Sequence, residues 1–310
     1  MTTNVSDMQT ELIPCSRRSF LKLSGLTALG VGGMMVLAGC GPAAQDDTTD
    51  TGTSDKTGGS SAAEALGDGT TLRVGMEAAY APYNWQVSAA GDTTIPIDNV
   101  DGAFADGYDV QIAKRIAEAL GMEPVAVKLS FDGLVNALNN GQIDIICAGM
   151  STTPERAQSA DFSDSYLDDD IVLVVRQDSP YASATTLADF AGASVMGQAA
   201  TLLDDVIDQI PDVNHMTPAE TVPLVVENLA RGTCDAITFS KMSVPQLLVN
   251  YPDFVQPSLT DSFTDSVMPD NAAIAKGQEA VLAKINEAIE AVSADERQQI
   301  WTDCMERQPA

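Results

Sequence analysis

From Thr71 onward, short β-branched apolar runs alternate with stretches of helical periodicity, and that alternation restricts the chain to sheets covered by helices. Leu72–Met76 predicts a strand. Tyr108–Leu120 predicts a helix, because Val110, Ala113, Ala117 and Leu120 share one face and Gly121 stops it. A strand over Val125–Leu129 follows, then a helix over Phe131–Asn139 ended by Asn140 and Gly141, then strands over Ile143–Ala148 and Ile171–Val175. The pattern resumes with a short helix over Thr186–Phe190, a strand over Ser194–Gly197 and a helix over Leu202–Ile210. Val213–Met216 and Cys234–Phe239 read as strands flanking a helix over Val222–Arg231, with Pro223 suited to its first turn. The chain closes with a strand over Ala272–Ala275 and helices over Glu279–Val292 and Ala294–Glu306. Two α/β lobes of about 100 residues each fit this series, with ligands expected at strand carboxyl ends between them.

Composition narrows the function classes. The 310 residues hold 44 acidic and 16 basic side chains, a formal charge of −28, so nucleic acid is excluded as a partner. A hydrophobic content of 45% supports a sizeable core rather than a disordered acidic chain. His215 is the sole histidine, which excludes histidine-rich metal sites, and no cofactor is expected. Cys147, Cys234 and Cys304 are an odd set without a CxxC spacing, so no disulfide framework is indicated, though one bridge among them is left open.

The N-terminus reads as an address. Arg17 and Arg18, before Phe20, Leu21 and Lys22, resemble a twin-arginine export signal. The apolar stretch Leu23–Ala38 has 16 residues, too short to span a bilayer, which needs roughly 20. It ends in Leu37, Ala38, Gly39 and Cys40, which resembles a lipoprotein cleavage box with Cys40 as the lipidated first residue. Residues 1–39 are therefore expected to be removed, leaving a mature chain at −29. Between Gly41 and Gly69, 19 of 29 residues are Gly, Ser, Thr or Asp and none is aromatic, so 40–70 reads as a lipidated cysteine followed by a disordered tether. The product is expected outside the cytoplasm, on the outer face of the cell membrane or in the periplasm.

Three runs carry a family resemblance: LRVGMEAAYAPY at Leu72–Tyr83, GYDVQIAKRIAEALG at Gly107–Gly121, and AGMSTTPER at Ala148–Arg156 continuing to DFSDSY at Asp161–Tyr166. Together they resemble the family 3 extracellular solute-binding proteins, the polar amino-acid receptors of ABC importers. The resemblance implies a type II periplasmic-binding-protein fold: two α/β lobes joined by two crossover strands that form a hinge and close on a ligand. Lobe one would comprise 71–175 plus 266–310, and lobe two 176–265 with the hinge crossovers. It also implies a receptor that captures an amino acid or analogue, docks on an ABC permease and its ATPase, and works as a monomer held to the membrane by its lipid.

Residue roles carry over in the same way. Gly149 lets a ligand approach the backbone, Ser151 offers a hydroxyl and an N–H, and Arg156 can present a planar fork to a carboxylate. By resemblance these three would hold the ligand's α-carboxylate region, and Tyr80 and Phe131 would sandwich its side chain. Glu77 matches an acidic position that meets a basic side chain in members with cationic ligands. The run VMGQAAT at Val195–Thr201 would start a helix at Thr201 and donate to the carboxylate, with Ala200 where the family has glycine.

GTCDAITFS at Gly232–Ser240 departs from the family. It ends in Ser240, where an acid usually meets the ligand's α-ammonium. Either another acid such as Asp261 or Asp265 substitutes, or the ligand has no free α-ammonium. The loop Gln86–Asp106 has no regular pattern and is expected to shape the cleft mouth. Two other classes stay open: an enzyme on the same fold, dehydratase-like, with Glu77 its only acid/base candidate, and a surface lipoprotein that has lost transport.

Overall fold

The computed structural model describes residues 66–309, so the expectations for 1–39, for Cys40 and for the stretch up to residue 65 lie outside the described residues. Thr71–Met76 pairs in parallel with Glu123–Lys128 on one side and with Ile145–Ile146 on the other. Leu72, Val74 and Met76 are fully buried, so the strand packs its apolar side chains on the helices that cover the sheet. Val267–Ala275 then runs antiparallel to Ile145–Ile146 and to the long strand Ala160–Arg176.

Ala160–Arg176 is the element that joins the two halves of the fold. Its first part pairs with Val267–Ala275, and its last five residues before Arg176 pair with Ala236–Ser240. Ala236–Ser240 runs parallel to Ser194–Met196, which runs parallel to Asn214–His215. The two crossovers are therefore a hydrogen-bonded antiparallel pair set between otherwise parallel groups of strands. Sequence periodicity marks only Ile171–Val175 and Ala272–Ala275 as strands. The remaining crossover residues, including Ser163, Asp164 and Ser165, have little β-propensity, and cross-strand pairing overrides it.

Three other expectations change. Gln86–Asp106 is not irregular, because Asn84–Val87, Ile95–Pro96 and Phe104–Asp106 form a small antiparallel sheet with Ala79–Tyr80. The helix expected over Leu202–Ile210 is one α-turn, Leu202–Asp205, followed by a 3-10 turn over Ile207–Gln209. Asp204 and Asp208 repel at one-turn spacing there, and His215 sits between them at 3.0 and 2.9 Å. Cys147, Cys234 and Cys304 are all free and buried, which closes the question of a bridge among them.

The helix Tyr108–Leu120 starts in a way that matters for the rest of lobe one. Its first N–H groups, of Tyr108 and Asp109, donate to the carbonyls of Pro82 and Tyr83 at 3.0 and 2.9 Å. The orphan donors of the first turn thus fix the segment between strand Thr71–Met76 and Asn84. Such close approach demands Gly107, whose φ of 134° and ψ of 176° are accessible to glycine almost alone. A Cβ there would lie 2.2 Å from the Tyr83 carbonyl oxygen.

Behind this cap lies Asp109, fully buried, whose carboxylate accepts from Tyr166 Oη at 2.6 Å and from Asn84 Nδ2 at 2.7 Å. It also accepts from the Gly149 backbone N–H. Asn84 in turn accepts from the Ala78 N–H at 2.7 Å. Trp301 of the C-terminal helix Ala294–Arg307 closes over the group, edge-on to Tyr83 and Tyr108.

Two outcomes follow for lobe one. Gly107→Ala is expected to destabilise the fold by roughly 1–3 kcal/mol from backbone strain, with the carbonyl clash added, seen as a lower denaturant midpoint. An unchanged midpoint would refute the steric account. Burial raises the Asp109 carboxyl to about 6, against its hydrogen bonds, which lower it. A raised acid binds its proton more tightly when folded, so its contribution is present below pH 4 and lost as pH rises through about 6. Carboxyl-carbon NMR should give a midpoint near 6, and one below 4 would contradict this.

Candidate functional site

The loops that leave the carboxyl ends of the sheet strands converge between the lobes. Glu77 follows Thr71–Met76, Gly149 and Ser151 follow Ile145–Ile146, Gln198 and Thr201 follow Ser194–Met196, and Ser240 ends Ala236–Ser240. Six of the expected site residues line one cavity: Tyr80, Phe131, Gly149, Ser151, Arg156 and Thr201. Tyr83, Gln198, Leu202, Leu203, Met268 and Asp270 complete its wall. Glu77 and Ser240 do not line it. The cavity volume is about 30 Å³, room for two or three waters at most, so an amino-acid-sized molecule enters only when the walls part.

Arg156 is held from both lobes. Nη1 donates to the Ser151 carbonyl and Nη2 to the Ala200 carbonyl, each at 2.6 Å, while Cζ lies 5.4 Å from the centre of the Phe131 ring. Burial lowers its pKa from the ordinary value, yet a guanidinium stays charged. Among the described residues it pairs with no carboxylate. The geometry therefore presents a half-buried cation, tethered at two nitrogens, in the cavity wall.

The wall around Arg156 explains its residue types. Gly149 has φ +59°, and a Cβ there would meet the rings of Tyr80 and Tyr83 at 3.4 Å. Tyr80 and Tyr83 stack at 4.4 Å between centroids, so the aromatic face expected at Tyr80 is a pair. Ala200, standing where the family has glycine, takes φ +60°, a left-handed conformation that a side chain adopts at some cost. Thr201 opens the short helix, but its hydroxyl donates to the Gln198 carbonyl at 2.8 Å, which leaves its oxygen lone pairs rather than its proton for a ligand.

Electrostatics differ most from the sequence-based picture. Ser240 is buried in a network: its hydroxyl bonds the Asp169 carboxylate and meets Ser243 Oγ at 2.9 Å. Asp169, on the first crossover, also accepts from Tyr83 Oη at 2.7 Å, from Asp170 N at 2.7 Å and from Met242 N at 3.0 Å. Asp261 and Asp265 do not supply an acid to the cavity. Asp261 instead caps a short turn by accepting from Leu187 N at 2.9 Å, and Asp265 is not in the wall. The acid that is there is Asp270, in the middle of the second crossover. It is 3% exposed and its Oδ2 has no hydrogen-bond partner. Burial, then the charges of Asp109, Asp169 and Asp168, push its carboxyl well above the usual range.

Sequence reasoning missed Asp270, Tyr83, Gln198 and Met268. One signal was available for Asp270, since Asp270 and Asn271 interrupt a run that is otherwise apolar from Val267 to Ala275. Glu77 is buried against the other lobe: Oε2 accepts from Gln198 Nε2 at 3.0 Å, and Oε1 has no partner. Burial raises its carboxyl, partly offset by Gln198 and Lys128.

Residues 72–303 match the model of the bacterial extracellular solute-binding proteins, family 3. A probable histidine-binding protein of Neisseria gonorrhoeae is 27% identical over 252 residues, covering 76% of this chain and 82% of that protein. An L-arginine-binding protein of Pseudomonas aeruginosa is 27% identical over 238 residues, covering 72% and 83%. Among solved structures, the substrate-binding protein of an amino acid ABC transporter aligns with a TM-score of 0.65 at 27% identity, over 76% of this chain and all of that one. The arginine-bound form of a truncated ArgBP from T. maritima aligns with a TM-score of 0.60 at 28% identity, over 72% and 96%. Three-quarters of the chain thus share one family's sequence pattern and two-lobed fold, and the protein belongs to the bacterial extracellular solute-binding proteins, family 3.

Proposed function

We propose that this chain is the substrate-binding receptor of an ABC importer and captures an amino acid with a basic side chain. The observation that carries this reading is Arg156, a half-buried guanidinium held by carbonyls of both lobes, in the wall of an interlobe cavity and paired with no carboxylate among the described residues. A free carboxylate is the ligand group that such a cation selects. Tyr80 and Phe131 give aromatic faces for a side chain, and Ser151, Gly149 and Thr201 give polar and close-approach positions around the carboxylate. Glu77, buried with one oxygen unpartnered, favours a cationic side chain once the lobes part and Gln198 withdraws. Arginine-bound and histidine-binding relatives support the same class.

Lobe one comprises 71–175 plus 266–310, lobe two 176–265, and opening bends the crossover pair 160–176 and 267–275. The ligand leaves chemically unchanged, because the family binds solutes and the cavity pairs no nucleophile with a base. Residues 1–39 are a twin-arginine lipoprotein signal, and Cys40 carries the lipid that holds a monomeric receptor outside the cytoplasm. Among the described residues no helix is long and apolar enough to cross a membrane, in keeping with an anchor of that kind. A membrane permease and ATPase receive the closed form.

Isothermal titration should show binding of L-arginine, L-lysine or L-ornithine, with Arg156→Ala weakening it by about thirtyfold or more. Failure of all three to bind would overturn the cationic reading. In cells, Cys40→Ser should move the protein from the membrane to the soluble extracytoplasmic fraction, and continued membrane association would refute the anchor.

A further inference from the structure

The family position that answers a ligand's α-ammonium is a serine here, and the structure explains why no acid is needed there. We propose that Asp270, on the second crossover strand, takes the α-ammonium, so that this charge is met by the hinge and not by lobe two. The inference rests on the receptor reading above and adds the residue that sets its specificity for α-amino groups.

Three observations converge on Asp270. It lines the cavity with its Oδ2 buried and unpartnered, and an orphan buried acceptor is costly unless something arrives to satisfy it. It is joined to Ser151 through an isolated antiparallel bridge, while the carbonyl of the same Ser151 accepts from Arg156 at 2.6 Å. A cation and an acid therefore flank one residue, as a zwitterion requires. The alternative acid, Asp169, is already satisfied by Tyr83, Ser240, Asp170 and Met242, and it does not line the cavity.

The charges around Asp270 dictate a proton movement. Asp109 faces it from the helix Tyr108–Leu120, and Asp168 and Asp169 face it from the first crossover. Tyr80, Tyr83, Tyr108 and Tyr166 also sense its charge. Among the described residues no cation pairs with it. With three carboxyl groups nearby and little exposure, Asp270 holds its proton more tightly than an ordinary aspartate does. An arriving ammonium keeps its own protons and displaces that one to the buffer. Binding then releases up to one proton, and affinity rises with pH through the range in which free Asp270 titrates.

The test uses the whole mature protein and two probes, L-arginine and 5-guanidinopentanoic acid, which lacks only the α-amino group; L-glutamine and its des-amino acid replace them if arginine does not bind. Titration of wild type in phosphate and in Tris across a series of pH values should give binding enthalpies that differ by up to one proton's worth of buffer ionisation. Removing the α-amino group should cost wild type about thirtyfold or more. In Asp270→Asn the same removal should cost less than threefold, and the buffer dependence should vanish. Asp270→Glu, which keeps the charge, should restore the penalty if Asp270→Asn folds poorly. A full α-amino penalty in Asp270→Asn, or no proton release by wild type, overturns the assignment and leaves the receptor reading standing. No binding of either amino acid by wild type overturns both.

Discussion

The buried carboxylate of Asp109 is the contact on which the site depends. It gathers Asn84, Tyr166 and the Gly149 N–H, which belong to a turn, a crossover strand and the loop after Ile146. These are separate stretches of chain, and the carboxylate ties their side chains and backbone to one point. Asp109 occupies the first turn of its helix, where the aligned peptide dipoles favour negative charge. Burial nevertheless raises its carboxyl to about 6, so desolvation outweighs the three donors. The protein accepts that cost in the core, and the aromatic and glycine wall of the cavity is built on the result.

From that anchor the two lobes acquire different parts. Lobe one carries the rigid features: the Tyr80–Tyr83 stack, Gly149 in its left-handed conformation, and Phe131 under Arg156. Lobe two contributes mostly backbone, since the Ala200 carbonyl holds Arg156 and the Gln198 carbonyl holds Thr201. Arg156 and Gln198 bond across the cleft, to Ala200 and to Glu77, and Tyr83 Oη meets Ser240 Oγ at 3.3 Å. The links of Arg156 and Gln198 each end on an atom that a zwitterionic ligand would also seek. Under the proposed receptor role, opening would exchange protein–protein hydrogen bonds for protein–ligand ones, the balance through which a ligand can shift a two-state equilibrium.

Much of this was legible in the sequence where local pattern and tertiary role agree. Thr71–Met76 and Tyr108–Leu120 follow from periodicity alone, and Gly107 and Gly121 bracket the helix as glycines do. Tyr80, Phe131, Gly149, Ser151, Arg156 and Thr201 were found because ordered motifs carry them, and they meet at one cavity. What stayed hidden depends on partners distant in sequence. The acidic half of Ala160–Arg176 is a strand only because Val267–Ala275 lies beside it. Asp261 and Asp265 looked as suitable as Asp270, because distance along the chain says nothing about which carboxylate turns inward.

The serine at 240 and the acid at 169 then read as one buried pair. Asp169 sits at hydrogen-bond distance from the Ser240 hydroxyl and accepts backbone N–H groups of Asp170 and Met242. An aspartate at 240 would put a second carboxylate against it in a buried setting, with Asp270 a third nearby. Like charges at that spacing cannot all ionise, and one pKa would be driven far up. A hydroxyl at 240 instead donates to Asp169 and relieves the repulsion. Asp270 is left as the carboxyl in the cavity wall with an oxygen still without a donor, on the second of the two crossover strands.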